Sequence, residues 1–113
     1  MAYKIVAVVR RKEGLSREEF LRIWQQEHPA YVSRLPGIRR YRQNPAIAHK
    51  DKAWPFDGVA ELWFDSVGDV ARAYAGPEAE ALFEHEHHFL GDMQWILAEE
   101  VEIDLDSFRD ETA

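Results

Sequence analysis

The chain has 113 residues and a net charge of −7 at pH 7, from 14 lysines and arginines against 21 aspartates and glutamates. That length favours a single domain with a small core, and the acidic balance makes nucleic acid and anionic membrane surfaces poor partners. The absence of cysteine excludes disulfides, thiolate nucleophiles and sulfur-ligated metals together, and fits a reducing cytosol.

Tyr3 to Val9 is a β-branched run that reads as a buried strand, closed by a turn at Glu13-Gly14. Its apolar run is too short for a signal peptide, and no stretch approaches the roughly 20 apolar residues of a membrane helix. A cytoplasmic protein is expected. Ser16 and Glu19 form a capping box that starts a helix, with Leu15 and Phe20 placed as a hydrophobic staple. Phe20, Ile23, Trp24, Tyr31 and Leu35 recur at helical spacing, with His28 among them. Pro29 kinks this helix, or ends it and restarts it with Pro29 in the first turn. Leu35-Pro36-Gly37 stops it.

A second strand is expected over Ile38 to Pro45, a polar connection over Ala46 to Trp54, and a third strand over Pro55 to Phe64. Asp65-Ser66 caps a second helix through Val67, Val70, Ala73 and Tyr74. Gly76-Pro77 breaks it, and a further helix runs from Glu78 to about Phe89. The last strand is expected over Gln94 to Asp104. The order is βαββαβ, a ferredoxin-like α+β fold, as one domain over residues 1–104 with a polar, fraying tail over 105–113.

An imidazole and a phenol carried by helix and strand toward one sheet are a proton-transfer pair near neutral pH. His28 is therefore read as a general acid or base, or as a buried histidine donating to a carbonyl freed at Pro29. Tyr41 is read as a donor to a substrate oxygen, or as an aromatic at the sheet edge. Glu61, in mid-strand among apolar residues, is a perturbed acid in the cavity or the partner of Arg40 or Arg42. The latter reading is preferred.

The run Glu84-His85-Glu86-His87-His88 has helical ligand spacings but no H-E-x-x-H pattern. It is read as a solvated helix end rather than a metal site, with His88 the member expected to face a cavity. His49 is a loop histidine, either solvated or a lid residue. Trp24, Tyr31, Trp63, Phe83 and Phe89 are candidates to line a flat apolar pocket for an aromatic ligand. Nucleotide-binding and nucleophile-elbow motifs are absent, and no cofactor or metal is expected.

Several segments together carry a resemblance: Ser16-x-x-Glu19-Phe20 with Trp24, then Glu27-His28, then Leu35-Pro36-Gly37-Ile38 with Arg40-Tyr41. The run Phe56-Asp57-Gly58-Val59-Ala60-Glu61-Leu62-Trp63-Phe64 follows, and Pro77-Glu78 with Glu86-x-x-Phe89 completes it. They span nearly the whole chain, and it resembles the EthD family of the dimeric α+β barrel superfamily. The resemblance implies a homodimer whose two sheets pack face to face. It also implies relatives of the methylmuconolactone methylisomerase type, in which a helix histidine and a strand tyrosine match His28 and Tyr41. A cysteine attributed to that site has no counterpart here. The expected activity is a cofactor-independent isomerase, cyclase or dehydratase acting on a hydroxyaromatic, lactone or polyketide-like acid. A non-catalytic ligand-binding or accessory protein is the alternative.

Overall fold

Residues 2–109 are described by a computed structural model of the chain. Strands β1 (Ala2–Arg11), β2 (Arg40–Pro45), β3 (Gly58–Phe64) and β4 (Leu90–Glu100) form one antiparallel sheet in the order β2-β3-β1-β4. Helices α1 (Arg17–Arg22), α2 (His28–Val32), α3 (Val67–Ala73) and α4 (Pro77–Glu86) pack on one face of it. This is the ferredoxin-like α+β fold.

Alternation fixes which face is buried. Ile5, Ala7 and Val9 of β1 and Ala60, Leu62 and Phe64 of β3 point toward the helices and are buried. Lys4, Val6, Val8, Glu61 and Trp63 point to the other face. Ser16 caps α1 by accepting from the Glu19 backbone N–H at 3.1 Å, while the Glu19 carboxylate accepts from Arg22. Half of the expected capping box is thus replaced by a local ion pair.

Between α1 and α2 lies a π turn, Ile23–Glu27, closed by the His28 N–H donating to the Ile23 carbonyl. Its origin is in the spacing. Phe20, Trp24, His28 and Val32 are four apart, and four α-helical residues overshoot one turn by roughly 40°. The wider π turn absorbs part of that drift, so all four stay on the sheet side, where each is buried. Pro29 then sits in the first turn of α2, where its missing donor costs little. The helical backbone runs from Arg17 to Val32 without a break, so the departure before Pro29 is a widened turn within the helix rather than an end and a restart. Gly37, at φ 81°, supplies the left-handed turn into β2.

Several boundaries differ from expectation, among them the end of α4, which stops at Glu86 rather than near Phe89. β2 and β3 begin at Arg40 and Gly58, later than Ile38 and Pro55. Asp57, expected within the third strand, lies just before β3. There its N–H donates to the Val9 carbonyl and its carboxylate accepts from the Arg11 N–H. β4 covers Leu90–Glu100 rather than 94–104. Gly91-Asp92 looks like a turn but enters the ladder at a register shift opposite Arg10 and Arg11, and Glu100 already pairs with Ala2, the first residue of β1. Val101 and Ile103, expected in the last strand, lie exposed beyond its end, and in the expected tail Leu105–Phe108 forms a 3-10 turn with Leu105 and Phe108 exposed. The expected fraying at positions 110–113 lies outside the described residues.

Candidate active site between sheet and helices

A cavity of about 320 Å³ lies between the helix-facing side of the sheet and the helices. Its wall is apolar except for four ionisable side chains: His28, Tyr41, Tyr74 and Glu86. The π turn and Pro29 present His28, β2 presents Tyr41, the end of α3 presents Tyr74, and the last turn of α4 presents Glu86.

Glu86 faces His28 across 3.7 Å, from carboxylate Oε2 to imidazole Nε2. Burial pushes the Glu86 carboxyl up to about 7. Burial, aided by the neighbouring His85, lowers the His28 imidazole to about 4. Both shifts favour the neutral forms, because removing either group from water penalises its charge. Below neutral pH the pair is a carboxylic acid beside a neutral imidazole rather than a salt bridge, and Glu86 is the member that exchanges a proton near neutral pH.

The Tyr41 hydroxyl accepts from Gln43 Nε2 at 2.8 Å, and the same Gln43 nitrogen donates to the Trp24 carbonyl at 2.7 Å. Gln43 thus ties β2 to the π turn and leaves the phenolic hydrogen available to an oxygen in the cavity. Burial pushes the Tyr41 hydroxyl up to about 12, so it is a donor at physiological pH. Burial likewise pushes Tyr74 well above the ordinary tyrosine range, with Glu86 adding to the effect.

Behind His28, its Nδ1 lies 2.9 Å from Nδ1 of His85. One ring must donate and the other accept. Tyr31 stacks on His85 with ring centres 4.3 Å apart, and Phe89 meets His28 edge-on at 5.0 Å. His85 Nε2 faces the Glu27 carboxylate at 3.5 Å, and Glu27 is held at 2.6 Å by Arg22 on the surface.

The expected site residues separate into groups. His28, Tyr41, Trp24 and Phe83 line the cavity. Tyr31 and Phe89 support His28 and His85 from behind. Glu61 and Trp63 belong to the opposite sheet face. There Glu61 pairs with Lys4 at 2.7 Å and accepts from Asn44, and these contacts hold its carboxyl below the usual range. The preferred ion-pair reading of Glu61 is correct in kind, but the partner is Lys4. Trp63 lies under Lys4, Arg40 and Arg42.

His49 is exposed in its loop, where its carbonyl accepts from the Lys52 N–H. His88 is exposed as well, and the inward histidine of that run is His85, not His88. Among the described residues, no three histidine, aspartate or glutamate side chains come together as metal ligands. Nor is any helix long and apolar enough to cross a membrane.

The residues missed as site members are Glu86, His85, Tyr74 and Gln43. The signal for two of them was present: Ala79, Leu82, His85, Glu86 and Phe89 follow the i, i+3, i+4 stripe of a core-facing helix side. Polar members of such a stripe are buried by position, whatever their neighbours in sequence.

The family model described as the EthD domain matches residues 12–92. Solved structures with this fold include an ethyl tert-butyl ether degradation (EthD) family protein from Bacillus halodurans. It is 19% identical, with 89% of this chain and 100% of that chain covered and a TM-score of 0.76. A dimeric protein of unknown function with a ferredoxin-like fold from Bacteroides fragilis is 16% identical over 87% and 95% of the two chains, at a TM-score of 0.64. SnoaB, a cofactor-independent oxygenase from Streptomyces nogalater, is 16% identical over 90% and 95%, also at 0.64. No curated protein sequence matches the chain.

Proposed function

The chain belongs to the EthD family, and on that premise we propose that it is a small cofactor-independent enzyme of proton transfer. The carrying observation is the buried Glu86–His28 pair in an otherwise apolar cavity with the Tyr41 hydroxyl on its wall. A carboxyl tuned near the working pH is suited to remove and return a proton, and apolar walls suit a flat substrate. The substrate class is a hydroxyaromatic, lactone or polyketide-like acid. Glu86, as carboxylate, takes a proton next to the substrate carbonyl. Tyr41 donates its hydrogen bond to the oxygen on which charge develops. His28, neutral, holds Glu86 in place and exchanges its proton. The perturbed cavity acid for which Glu61 was a candidate is, on this reading, Glu86. The likeness to SnoaB supports cofactor-free chemistry in a cavity of this fold.

The working assembly is a homodimer joined through the open sheet face, and the setting is the cytosol. Support for the dimer comes from that uncovered face and from neighbours described as dimeric.

The test is a panel of hydroxyaromatics, lactones and polyketide-like acids, screened by imidazole NMR for binding and then for turnover. One class is expected to shift the His28 signals and to be converted. Glu86→Gln and Tyr41→Phe should each lower kcat, Glu86→Gln by about a hundredfold or more, with both variants still binding. Binding without conversion of any compound would overturn the enzymatic reading in favour of a ligand-binding protein.

A further inference from the structure

The geometry points to a proton relay, Glu86–His28–His85–Glu27, that connects the cavity to the protein surface. It rests on the reading of Glu86 as the cavity's proton-exchanging group and extends it with a route to solvent.

The four groups form one file. Glu86 Oε2 faces His28 Nε2 at 3.7 Å, His28 Nδ1 meets His85 Nδ1 at 2.9 Å, and His85 Nε2 faces Glu27 Oε1 at 3.5 Å. Both ring nitrogens of each histidine are used, one toward each neighbour. His28 and His85 are 4% and 7% exposed, whereas the Glu27 side chain is 45% exposed. The file therefore starts in the cavity, crosses a dry segment and ends in water. Two of its gaps exceed hydrogen-bond length and close by side-chain rotation, as catalytic contacts commonly do once a site is filled.

The surroundings keep the file narrow. Tyr31 covers His85 on one side, Phe89 lies against both rings, and His88 stands 5.9 Å from His85 toward the surface. Arg34 lies over the Tyr31 ring, and Arg22 anchors Glu27 and keeps it a carboxylate. At the cavity end the other ionisable neighbours are Tyr41 and Tyr74, both neutral. A purely structural histidine pair would need its central hydrogen bond only. It would not need a carboxyl at each outer nitrogen.

The transfer balances without any other reactant. At the start Glu86 holds a proton, His28 carries its hydrogen on Nδ1 and donates to His85, and His85 carries its hydrogen on Nε2 toward Glu27. Glu86 gives its proton to His28 Nε2, His28 Nδ1 gives its proton to His85 Nδ1, and His85 Nε2 gives its proton to Glu27. At the end Glu86 is ionised, both rings have exchanged tautomer, and Glu27 releases a proton to water. The reverse sequence returns a proton to the cavity with no ring rotation.

The test is 15N NMR of the four ring nitrogens with 13C detection of the carboxyls. It compares the unaltered protein, Glu86→Gln and Glu27→Gln across the Glu86 titration. In the unaltered protein the hydrogen of His28 should move from Nδ1 to Nε2 and that of His85 from Nε2 to Nδ1, both at the midpoint of the Glu86 carboxyl. Glu86→Gln should freeze both rings. Glu27→Gln, an exposed change that leaves the core untouched, should keep the switch but slow it by roughly tenfold in relaxation dispersion. Fixed tautomers beside a titrating Glu86 would overturn the relay and leave the reading of Glu86 intact. So would an unchanged rate in Glu27→Gln, since protons would then reach Glu86 through the cavity mouth. A Glu86 carboxyl that does not titrate near neutral pH would overturn both.

Discussion

At the scale of single residues, Glu86 and His28 impose opposite pH dependences on stability. Below its ordinary value of 4.5, Glu86 is protonated in both folded and unfolded chains. As pH rises through 4.5 toward 7 the unfolded chain ionises first. Stability is lost across that window, by about 3 kcal/mol in all. His28 runs the other way: as pH falls from 6.5 toward 4 the unfolded chain gains a proton first, and a similar amount is lost. Between 4.5 and 6.5 the two slopes oppose each other. Glu86→Gln removes one of them, so relative to the unaltered protein it should gain about 3 kcal/mol between pH 4.5 and pH 8. Groups distant from Glu86 are common to both proteins and drop out of the difference, and Tyr41 and Tyr74, which Glu86 helps to push up, stay protonated across this range. Urea unfolding at several pH values measures it, and parallel curves would show that Glu86 is not desolvated as described. Tyr41→Phe should cost about 1 kcal/mol, because Gln43 Nε2 loses one of its two acceptors. Thermal melting reads that loss separately from its effect on turnover.

At the scale of elements, the sharpest constraint is where β3 meets the π turn. A Cβ added at Gly58 would lie 2.7 and 2.8 Å from the Trp24 ring and 3.0 Å from the Asn44 carbonyl. Trp24 is fully buried and cannot retreat. Gly58→Ala should therefore destabilise by roughly 1–3 kcal/mol. Trp24→Phe removes the ring atoms that clash, so Gly58→Ala should cost distinctly less in that background, a coupling that a double-mutant cycle measures directly. Equal costs in both backgrounds would mean the close approach is relieved elsewhere. Elements of this kind were legible where local chemistry decides them: the Ser16 cap, the Leu35-Pro36-Gly37 stop and the β-branched runs. The π turn was not named, although strict four-residue spacing from Phe20 to Val32 requires some departure from a straight α-helix. β4 was misplaced because Gly91-Asp92 carries a turn's residues in a strand's position. Only the bulge opposite β1, a contact distant in sequence, makes them strand. The same limit separates His28 and Tyr41, legible from family pattern, from Glu86 and His85. Those two lay hidden in a charged run that reads as solvated until α4 is placed against the sheet.

At the scale of the molecule, one sheet and one helix layer make a slab 20 Å in its shortest extent. Its radius of gyration is 16.7 Å, against about 13 Å for a compact chain of this length. The excess is consistent with a C-terminal arm, exposed at Val101, Ile103, Leu105 and Phe108, which is costly for an isolated chain. The open sheet face has the same character. Ile96 is 62% exposed there, beside half-buried Val6, Val8 and Val59. Around them stand the Lys4–Glu61 pair and the arginines over Trp63. An apolar centre with a charged rim fits a second copy of the same face, since each copy brings both signs of charge. Ile96→Glu places a carboxylate at that apolar centre. If the proposed dimer forms through this face, sedimentation equilibrium should give twice the chain mass for the unaltered protein and half of that for the variant. Because Ile96 points away from the helices, the monomeric variant should still bind whatever small molecule the cavity takes. Loss of binding along with the dimer would show that the partner copy completes the site. A monomer before any substitution would leave the open face to some other covering.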